Sequence, residues 1–545
     1  MSIYDQNADK AKQQLDKISP SMCYAKWSQV SMHLTNGMTH SCYHPPTHKV
    51  PLEELEKNIT ALHNTEEKKE QRRLMLKGER PDGCSYCWNI EDQGDRSDRI
   101  YRSGEYWAQE SRQDIMDAGA SGNINPRYVE VNFNQACNFK CSYCSPHLST
   151  AWQEEIDEHG EYPTVAPHNN VDSLRNKNLM PLRVAQDDNP YVTAFWKWWP
   201  DMYKTLRVFR MTGGEPLMDK NTFKVMEYVL ENPNKDLELS ITTNMCPVNQ
   251  VLFERFMKLI KQLDNVEHSA EVYVPDPYDG TDWQTWDHYI VGADSKRYHS
   301  SELPSIERED IKQTFLQIGQ CEEQGDNSYT YEYKYNDKAY HNFSVFVSLD
   351  GWGPQAEYIR HGMDFDQVWS NVNRFLDETH HTSINFINTF NCLSLPSLRE
   401  FLEGILELRK KWNKSIQYAL GWEVPEQRIW FDIPLLRNPA WQSIQILPDD
   451  YQEYLLEAID FMEQNKANEE FVDYEGFKDF EIEKVKRNLE HMKKQLSKDK
   501  LLRDRADFSR FFSEHDKRRG TDFLATFPEM SQFWFMCEEA EAIYE

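Results

Sequence analysis

The sequence predicts an α/β protein in which a parallel sheet or barrel follows a small Cys-rich module and precedes a helical C-terminal region. Three observations carry this reading. From residue 127 onward, apolar runs alternate with helical segments, the rhythm of strand–helix–strand units. Seven of the eleven cysteines lie within the first 144 residues. From about 449 the pattern is helix-like throughout. The expected boundaries are 1–122 for the Cys-rich module, 123–448 for the sheet or barrel and 449–545 for the helical region.

Taken in order, residues 20–43 hold two short runs around Asn36-Gly37, a hairpin turn signal. A charged helical stretch over roughly 52–78 leads to the turn Pro81-Asp82-Gly83. The strand runs that follow are 128–133, 206–211, 237–242, 343–349 and 384–390, with a weaker sixth between 416 and 446. A helix is expected over 251–262. Two insertions interrupt the rhythm: 146–204, rich in Trp, Pro and Asn, and 265–340, acidic and Tyr-rich. The first begins on the face where the Cys137–Cys144 loop lies, and its aromatic cluster at 194–200 is where substrate contacts would first be sought. The second follows a helix and is expected on the opposite face. Between 484 and 519, thirteen Lys/Arg stand against six Asp/Glu, a run expected to form a solvated helix face.

Composition excludes several classes. The formal net charge of −29 opposes any protein that coats phosphate backbones, so nucleic acid is not an expected partner. An aromatic fraction of 13% is too high for a disordered chain. No run reaches the 18 or so apolar residues of a membrane span, and the polar first residues lack the apolar segment of a secretory signal. A cytoplasmic protein is therefore expected. In a reducing compartment, concentrated thiols read as metal or cluster ligands rather than disulfides.

The most informative segment is Val131-Asn-Phe-Asn-Gln-Ala-Cys137-Asn-Phe-Lys-Cys141-Ser-Tyr-Cys144. Three thiols at i, i+4 and i+7 follow an apolar strand directly. A structural zinc site takes four ligands, and the only near candidate for a fourth is His147. Three thiolates on a four-iron cubane would leave one iron open, and an open position is what marks a catalytic metal site. This pattern, CxxxCxxC with an aromatic before the last cysteine, resembles the radical S-adenosylmethionine (SAM) enzymes at Cys137, Cys141, Tyr143 and Cys144. The resemblance implies a [4Fe–4S] cluster whose open iron is chelated by SAM. It also implies an external one-electron reductant, reductive cleavage of SAM to a 5′-deoxyadenosyl radical and hydrogen abstraction from a substrate. The fold implied is a partial, TIM-like (β/α)6 barrel.

Other motifs fall at strand ends, where barrel enzymes carry their chemistry. Gly213-Gly214-Glu215-Pro216 matches the family's GGEP motif, which contacts the SAM amino group. Asn244 ends a TTN-like run. Ser348 and Asp350 lie in an SxDG-like strand end. Arg360 matches the residue that meets the SAM carboxylate, for which a guanidinium is the natural bidentate partner. Asn391 sits where relatives place a polar residue against the ribose.

Cys23 and Cys42 flank the predicted hairpin, and Cys84-Ser-Tyr-Cys87 follows, which makes a plausible four-thiolate site. Zinc and a second [4Fe–4S] cluster fit this spacing equally. The order resembles a twitch module, the half-size relative of the SPASM auxiliary-cluster domain, here preceding the barrel as in phage-type relatives. Cys246, Cys321, Cys392 and Cys537 read as small buried hydrophobes. The function expected is radical chemistry on a peptide or protein substrate. Alternatives are the same chemistry on a nucleotide or small metabolite, and a non-catalytic iron–sulfur or zinc protein.

Overall fold

A computed structural model describes residues 3–234, 236–264, 342–379, 382–413, 427–468 and 475–544, together with short strand segments between 269 and 334 and between 415 and 425. Its centre is a nine-stranded sheet. The strands are β1 (Gln29–His33), β2 (Met38–His40), β3 (His48–Lys49), β4 (Tyr128–Asn132), β6 (Val208–Thr212), β7 (Glu238–Thr243), β8 (Asn342–Ser348), β10 (Ser383–Ile387) and β11 (Ile429–Asp432). Their spatial order is β11-β10-β8-β7-β6-β4-β1-β2-β3, and the two edges do not pair with each other. Two further short strands, β5 (Lys140–Cys141) and β9 (Arg360–His361), pair separately.

All six expected strands form, and each pairs in parallel with its neighbours. The parallel array nevertheless has seven members rather than six. Gln29–His33, expected to be half of an isolated hairpin, does turn back on β2 but also pairs in parallel with β4. Its alternation of Val30 and Met32 with Gln29 and Ser31 fits the main sheet's two-sided pattern. The N-terminal region also has a core of its own around Met22, Trp27, Met75 and Trp107. The two cores overlap along the chain, because Val30, Met32, Leu55 and Leu62 belong to the main core while Ile124 and Tyr128 belong to the N-terminal one.

Crossover helices cover one face: α2 (Pro190–Tyr203), α3 (Lys220–Glu231), α4 (Gln250–Leu263), α5 (Phe365–Glu378) and α6 (Leu398–Trp412). Against them lie Val129, Val131, Phe209, Met211, Leu239, Ile241, Val345, Val347, Ile384 and Phe386, all buried. The 146–204 segment is less an insertion than a long crossover, because its last helix, α2, links β4 to β6. The aromatic cluster expected to offer substrate contacts packs instead: Trp199 sits 4.8 Å from Phe209, and Phe195, Trp198 and Trp199 are fully buried. The expected 52–78 helix is interrupted at Asn58, whose side chain caps the next turn, and resumes as α1 (Glu66–Leu76). The 265–340 insertion and Cys321 lie largely or wholly outside the described residues.

The opposite face of the sheet is polar. Register places Ser31, Glu130, Arg210, Ser240, Ser344 and Ser383 in one row across six strands. Parallel sheets are normally apolar and covered on both sides. A row of serines and charges identifies this face as the wall of a cleft.

The C-terminal region is helical as expected, with α7 (Asp479–Met492), α8 (Lys498–Arg519) and α9 (Ser531–Tyr544). Its basic run is solvated in part: Arg487, Lys493, Lys494, Lys498, Lys500, Arg503 and Lys517 are exposed, while the opposite side of α8 packs inward. In α8, Phe508, Phe511, Phe512, Asp507 and His515 are buried, and the Arg519 side chain is fully enclosed. Among the described residues no helix is long and apolar enough to cross a membrane.

Candidate active site and thiol cavity

The Cys137–Cys144 loop leaves the C-terminal end of β4, and nearly every exposed backbone group in it is tied down. Thr150 Oγ1 exchanges hydrogen bonds with the N–H and C=O of Cys137, each at 3.2 Å. Ser149 Oγ donates to Phe139 O (2.8 Å), and Trp152 Nε1 donates to Cys141 O (2.9 Å). Arg519, from the C-terminal region, donates to Lys140 O (2.7 Å) and pairs through its guanidinium with buried Glu155 (3.1 Å). A two-residue ladder sets Cys141 opposite Arg360.

The three thiols are electrostatic neighbours. Burial, reinforced by Cys141, pushes the Cys137 thiol up to about 12. Cys144 is raised by burial and by both partners, and Cys141 is raised by burial against the pull of Arg360. Two donors point at the sulfurs: Phe139 N–H at 3.4 Å from Cys137 Sγ, and Arg360 Nη1 at 3.6 Å from Cys141 Sγ. Such hydrogen bonds tune cluster potentials. His147 bonds to Ser145 Oγ (3.0 Å). Among the described residues no three His, Cys, Asp or Glu side chains converge on a single ion.

The glycines of Gly213-Gly214-Glu215 serve the loop directly. A Cβ on Gly214 would lie 2.3 Å from Ala136 O, and one on Gly213 would lie 2.9 Å from Asn132 Oδ1 and from Asn134 O. Gly213 also has a φ of +138°. The sequence argument expected them to admit a ligand; in the structure they admit the backbone of the cysteine loop. Glu215 is fully buried and accepts from Leu217 N (2.9 Å), Thr243 Oγ1 (2.7 Å) and Asn244 N (2.7 Å). Burial still pushes its carboxyl up to about 7.

The remaining expected SAM contacts divide into two groups. Tyr143, Asp350 and Arg360 form one buried network: Arg360 Nε meets Asp350 Oδ2 at 2.7 Å, Tyr143 OH donates to the same oxygen (2.6 Å), and Arg360 Nη2 donates to Tyr143 OH (2.6 Å). Ser348 ends β8 on the cleft side and is half-buried. Asn244 is bound to the loop through Asn138 (3.0 Å) and to Cys246 N (2.8 Å). Asn391 has no polar group to spare, because its amide donates to Thr389 O and Ser394 Oγ and accepts from Leu393 N. Three residues earlier, fully buried Asn388 has both amide atoms without a partner among the described residues. Sequence inspection selected Asn391; the pairing pattern selects Asn388.

Unpartnered buried atoms also mark the polar face. Gln29 Nε2 and Oε1, Ser31 Oγ, Asn132 Oδ1 and Asn385 Oδ1 have no hydrogen-bond partner among the described residues. Register puts all four residues on the cleft side. Buried polar groups are nearly always satisfied, so such a set marks a place for water or ligand.

The four N-terminal cysteines, drawn from separated segments, line one small cavity of about 20 Å³. Burial first, then the other three thiols, pushes Cys23 up to about 12. Burial does the same to Cys87, which receives the Arg99 N–H and the Ser97 hydroxyl. Arg102 lines this cavity and also a larger one of about 270 Å³ walled by Tyr128, Arg210, Glu238, Ser344 and Phe346. Tyr128, Val208 and Glu238 begin their strands, so the thiol cavity abuts the N-terminal end of the cleft while the three-cysteine loop stands at the C-terminal end. Cys246, Cys392 and Cys537 are buried free thiols.

No family model matches the chain. Curated relatives are similar over a limited stretch. The GTP 3′,8-cyclase of Campylobacter curvus is 28% identical over 117 residues, 22% of this chain and 27% of that protein. The enzyme of the same name from Desulforamulus reducens is 27% identical over 158 residues, 29% of this chain and 38% of that protein. That of Sulfurimonas denitrificans is 25% identical over 117 residues, 22% of this chain and 27% of that protein. Over that stretch the chain is similar to these GTP 3′,8-cyclases. The match spans only 27–38% of the length of these relatives. Among solved structures, Streptococcus suis SuiB bound to S-adenosylmethionine is similar to this chain over 83% of its residues and 71% of SuiB, at 12% identity and a TM-score of 0.30.

Proposed function

We propose that the chain uses a [4Fe–4S] cluster on Cys137, Cys141 and Cys144 to cleave SAM and abstract hydrogen from a peptide or protein segment bound along the polar face. When bound, that cluster supplies one electron to SAM, and the resulting 5′-deoxyadenosyl radical takes the substrate hydrogen. The supporting observation is the meeting of the three-cysteine loop and the Gly213–Glu215 turn, with Arg360 held at the Cys141 sulfur. Glu215, Asn388 and the Tyr143–Asp350–Arg360 network are the side chains we assign to orienting SAM. Burial of the thiols excludes water from the site, and the sheet's uncovered face, read as the interior of a partial barrel, leaves room for substrate.

The peptide reading rests on the cleft's chemistry. Its unpartnered groups are amides, a hydroxyl and Arg210 Nε, donors and acceptors suited to a peptide backbone, and its row of charges sets Glu130 3.8 Å from Arg210. Among the described residues of that row Arg210 is the one cation, and Glu130 balances it. A nucleotide substrate is the second reading, favoured by the relatives named GTP 3′,8-cyclase. For the N-terminal cavity we propose a second [4Fe–4S] cluster on Cys23, Cys42, Cys84 and Cys87, with zinc as the alternative, because all four thiols line one cavity.

The test is anaerobic reconstitution of the full chain with iron and sulfide, followed by SAM and dithionite. About eight irons per chain and release of 5′-deoxyadenosine are expected. Zinc without iron, or SAM left intact, overturns the reading. Deuterium transfer into 5′-deoxyadenosine from labelled peptide, against labelled nucleotide, decides the substrate class.

A further inference from the structure

Helix α1 turns an unusual face inward. Lys68 and Arg72, one helical turn apart, are buried with Met75, and Lys26 is buried beside them. Lys26 lines the four-thiol cavity. Every acceptor these three cations find is neutral. Lys26 Nζ donates to Gln71 Oε1 (2.7 Å). Lys68 Nζ donates to His63 Nδ1 (2.8 Å), while His63 Nε2 meets Trp27 O (2.6 Å), which leaves that ring uncharged. Arg72 donates to Asn64 Oδ1 (3.0 Å) and Lys26 O (3.3 Å) and lies over the Trp27 ring.

Nearby carboxylates are committed elsewhere. Asp98 is paired with His44 (2.5 Å), Glu91 with Arg99 (2.7 Å), and half-exposed Glu67 faces His48 (3.8 Å). An uncompensated buried charge is strongly destabilising, so a protein that keeps three together needs an anion for them. Besides Glu67, whose exposed carboxylate Lys26 also faces, the acidic groups beside them among the described residues are the thiols of the cavity that Lys26 lines.

We propose that Lys26 and Lys68, backed by Arg72, are the built-in counter-charge of an anionic tetrathiolate cofactor held by Cys23, Cys42, Cys84 and Cys87. This rests on the cofactor reading above. Four thiolates around a [4Fe–4S] core, or around zinc, leave the centre net negative, and the cations balance it. Positive charge at this distance also favours the added electron of a reducible centre. The same side chains therefore oppose folding of the cofactor-free chain and support the loaded one.

The experiment compares Lys68→Met and Lys26→Met with the wild-type full chain, each cofactor-free after chelation and each reconstituted. Thermal melting is expected to rise on substitution in the cofactor-free state and to fall in the loaded state. If iron occupies the site, its midpoint potential, read by spin resonance in a Cys141→Ala background, should move to a more negative value. Melting shifts of the same sign in both states, or an unmoved potential with the cluster present, overturn the counter-charge. Metal quantification keeps the two readings apart. Zinc in place of iron removes the cluster but not the predicted reversal of sign. Loss of all metal binding by the wild type removes the cofactor reading itself.

Discussion

The two thiol sites differ in how they are assembled and in how their charge is balanced. The C-terminal trio comes from one eight-residue loop braced by backbone contacts, and the cation at its Cys141 sulfur, Arg360, already has a carboxylate in Asp350 at 2.7 Å. The N-terminal quartet is gathered from three segments spread over residues 23–87, and the cations Lys26, Lys68 and Arg72 near it donate to neutral acceptors. A site that must admit SAM at an open iron is charge-balanced by the protein and held rigid. A site that encloses its cofactor completely can let the cofactor supply the missing charge.

The largest expected effect separates the sites outright. Cys141→Ala should abolish release of 5′-deoxyadenosine and remove about four irons per chain, while Cys84→Ala should remove the other four. If Cys84→Ala alone also emptied the C-terminal loop, the two sites would be one folding unit and the comparison would fail. Next comes the charge balance. Asp350→Asn strands the buried Arg360 guanidinium and should destabilise the chain by about 3–5 kcal/mol in denaturant titrations. That sign is opposite to the one expected for Lys68→Met without cofactor, and equal signs would erase the distinction.

Glu155 tests whether the C-terminal region braces the loop. Burial alone would raise its carboxyl, but hydrogen bonds from Arg519, Lys140 and Tyr162 outweigh that and hold it at about 2 against an ordinary 4.5. The folded value is the lower one, so the stabilisation is present above pH 4.5 and is lost as the pH falls toward 2. It is on the order of 3 kcal/mol. Glu155→Gln should flatten the acid limb of stability between those values. An unchanged limb would detach Arg519 from the loop.

The contiguous site was legible in the sequence because its ligands are neighbours along the chain. Cys137, Cys141 and Cys144 could be read by spacing, and the strands carrying them by their apolar runs. The four N-terminal cysteines could be grouped by the CxxC knuckle and the hairpin that Cys23 and Cys42 flank, and all four line one cavity. What escaped was information held in registers and faces. Gln29–His33 looked like half a hairpin because strand partnership depends on residues 100 positions away. Asn391 resembled a ligand by its place after a strand, but its own turn consumes its amide. Lys68 and Arg72 belong to a stretch legible only as charged and helical, although their i, i+4 spacing with Met75 at i+7 already marks one face. Arg519 looked like part of a solvated basic run, and only its burial against Glu155 reveals its role.

The smallest expected effect contrasts two glycines. At Gly214 a methyl group would sit 2.3 Å from Ala136 O and 2.7 Å from Gln135 O, both backbone atoms of the cysteine loop. Those atoms cannot swing aside as a side chain would, so Gly214→Ala must displace the loop, at about 1–3 kcal/mol by analogy with overpacked cores. Iron at the C-terminal site should fall with stability. Gly83 precedes Cys84, yet a Cβ there would meet only the Gln71 side chain, at 3.7 Å, and its φ is not positive. Gly83→Ala should therefore leave iron content unchanged and raise stability slightly, by about 0.4–1 kcal/mol, through the unfolded chain. If both substitutions emptied their sites equally, backbone packing would not be what distinguishes the loop from the cavity. The asymmetry is expected because the trio's geometry is set by main-chain atoms in contact, whereas the quartet's is set by side chains around a small cavity.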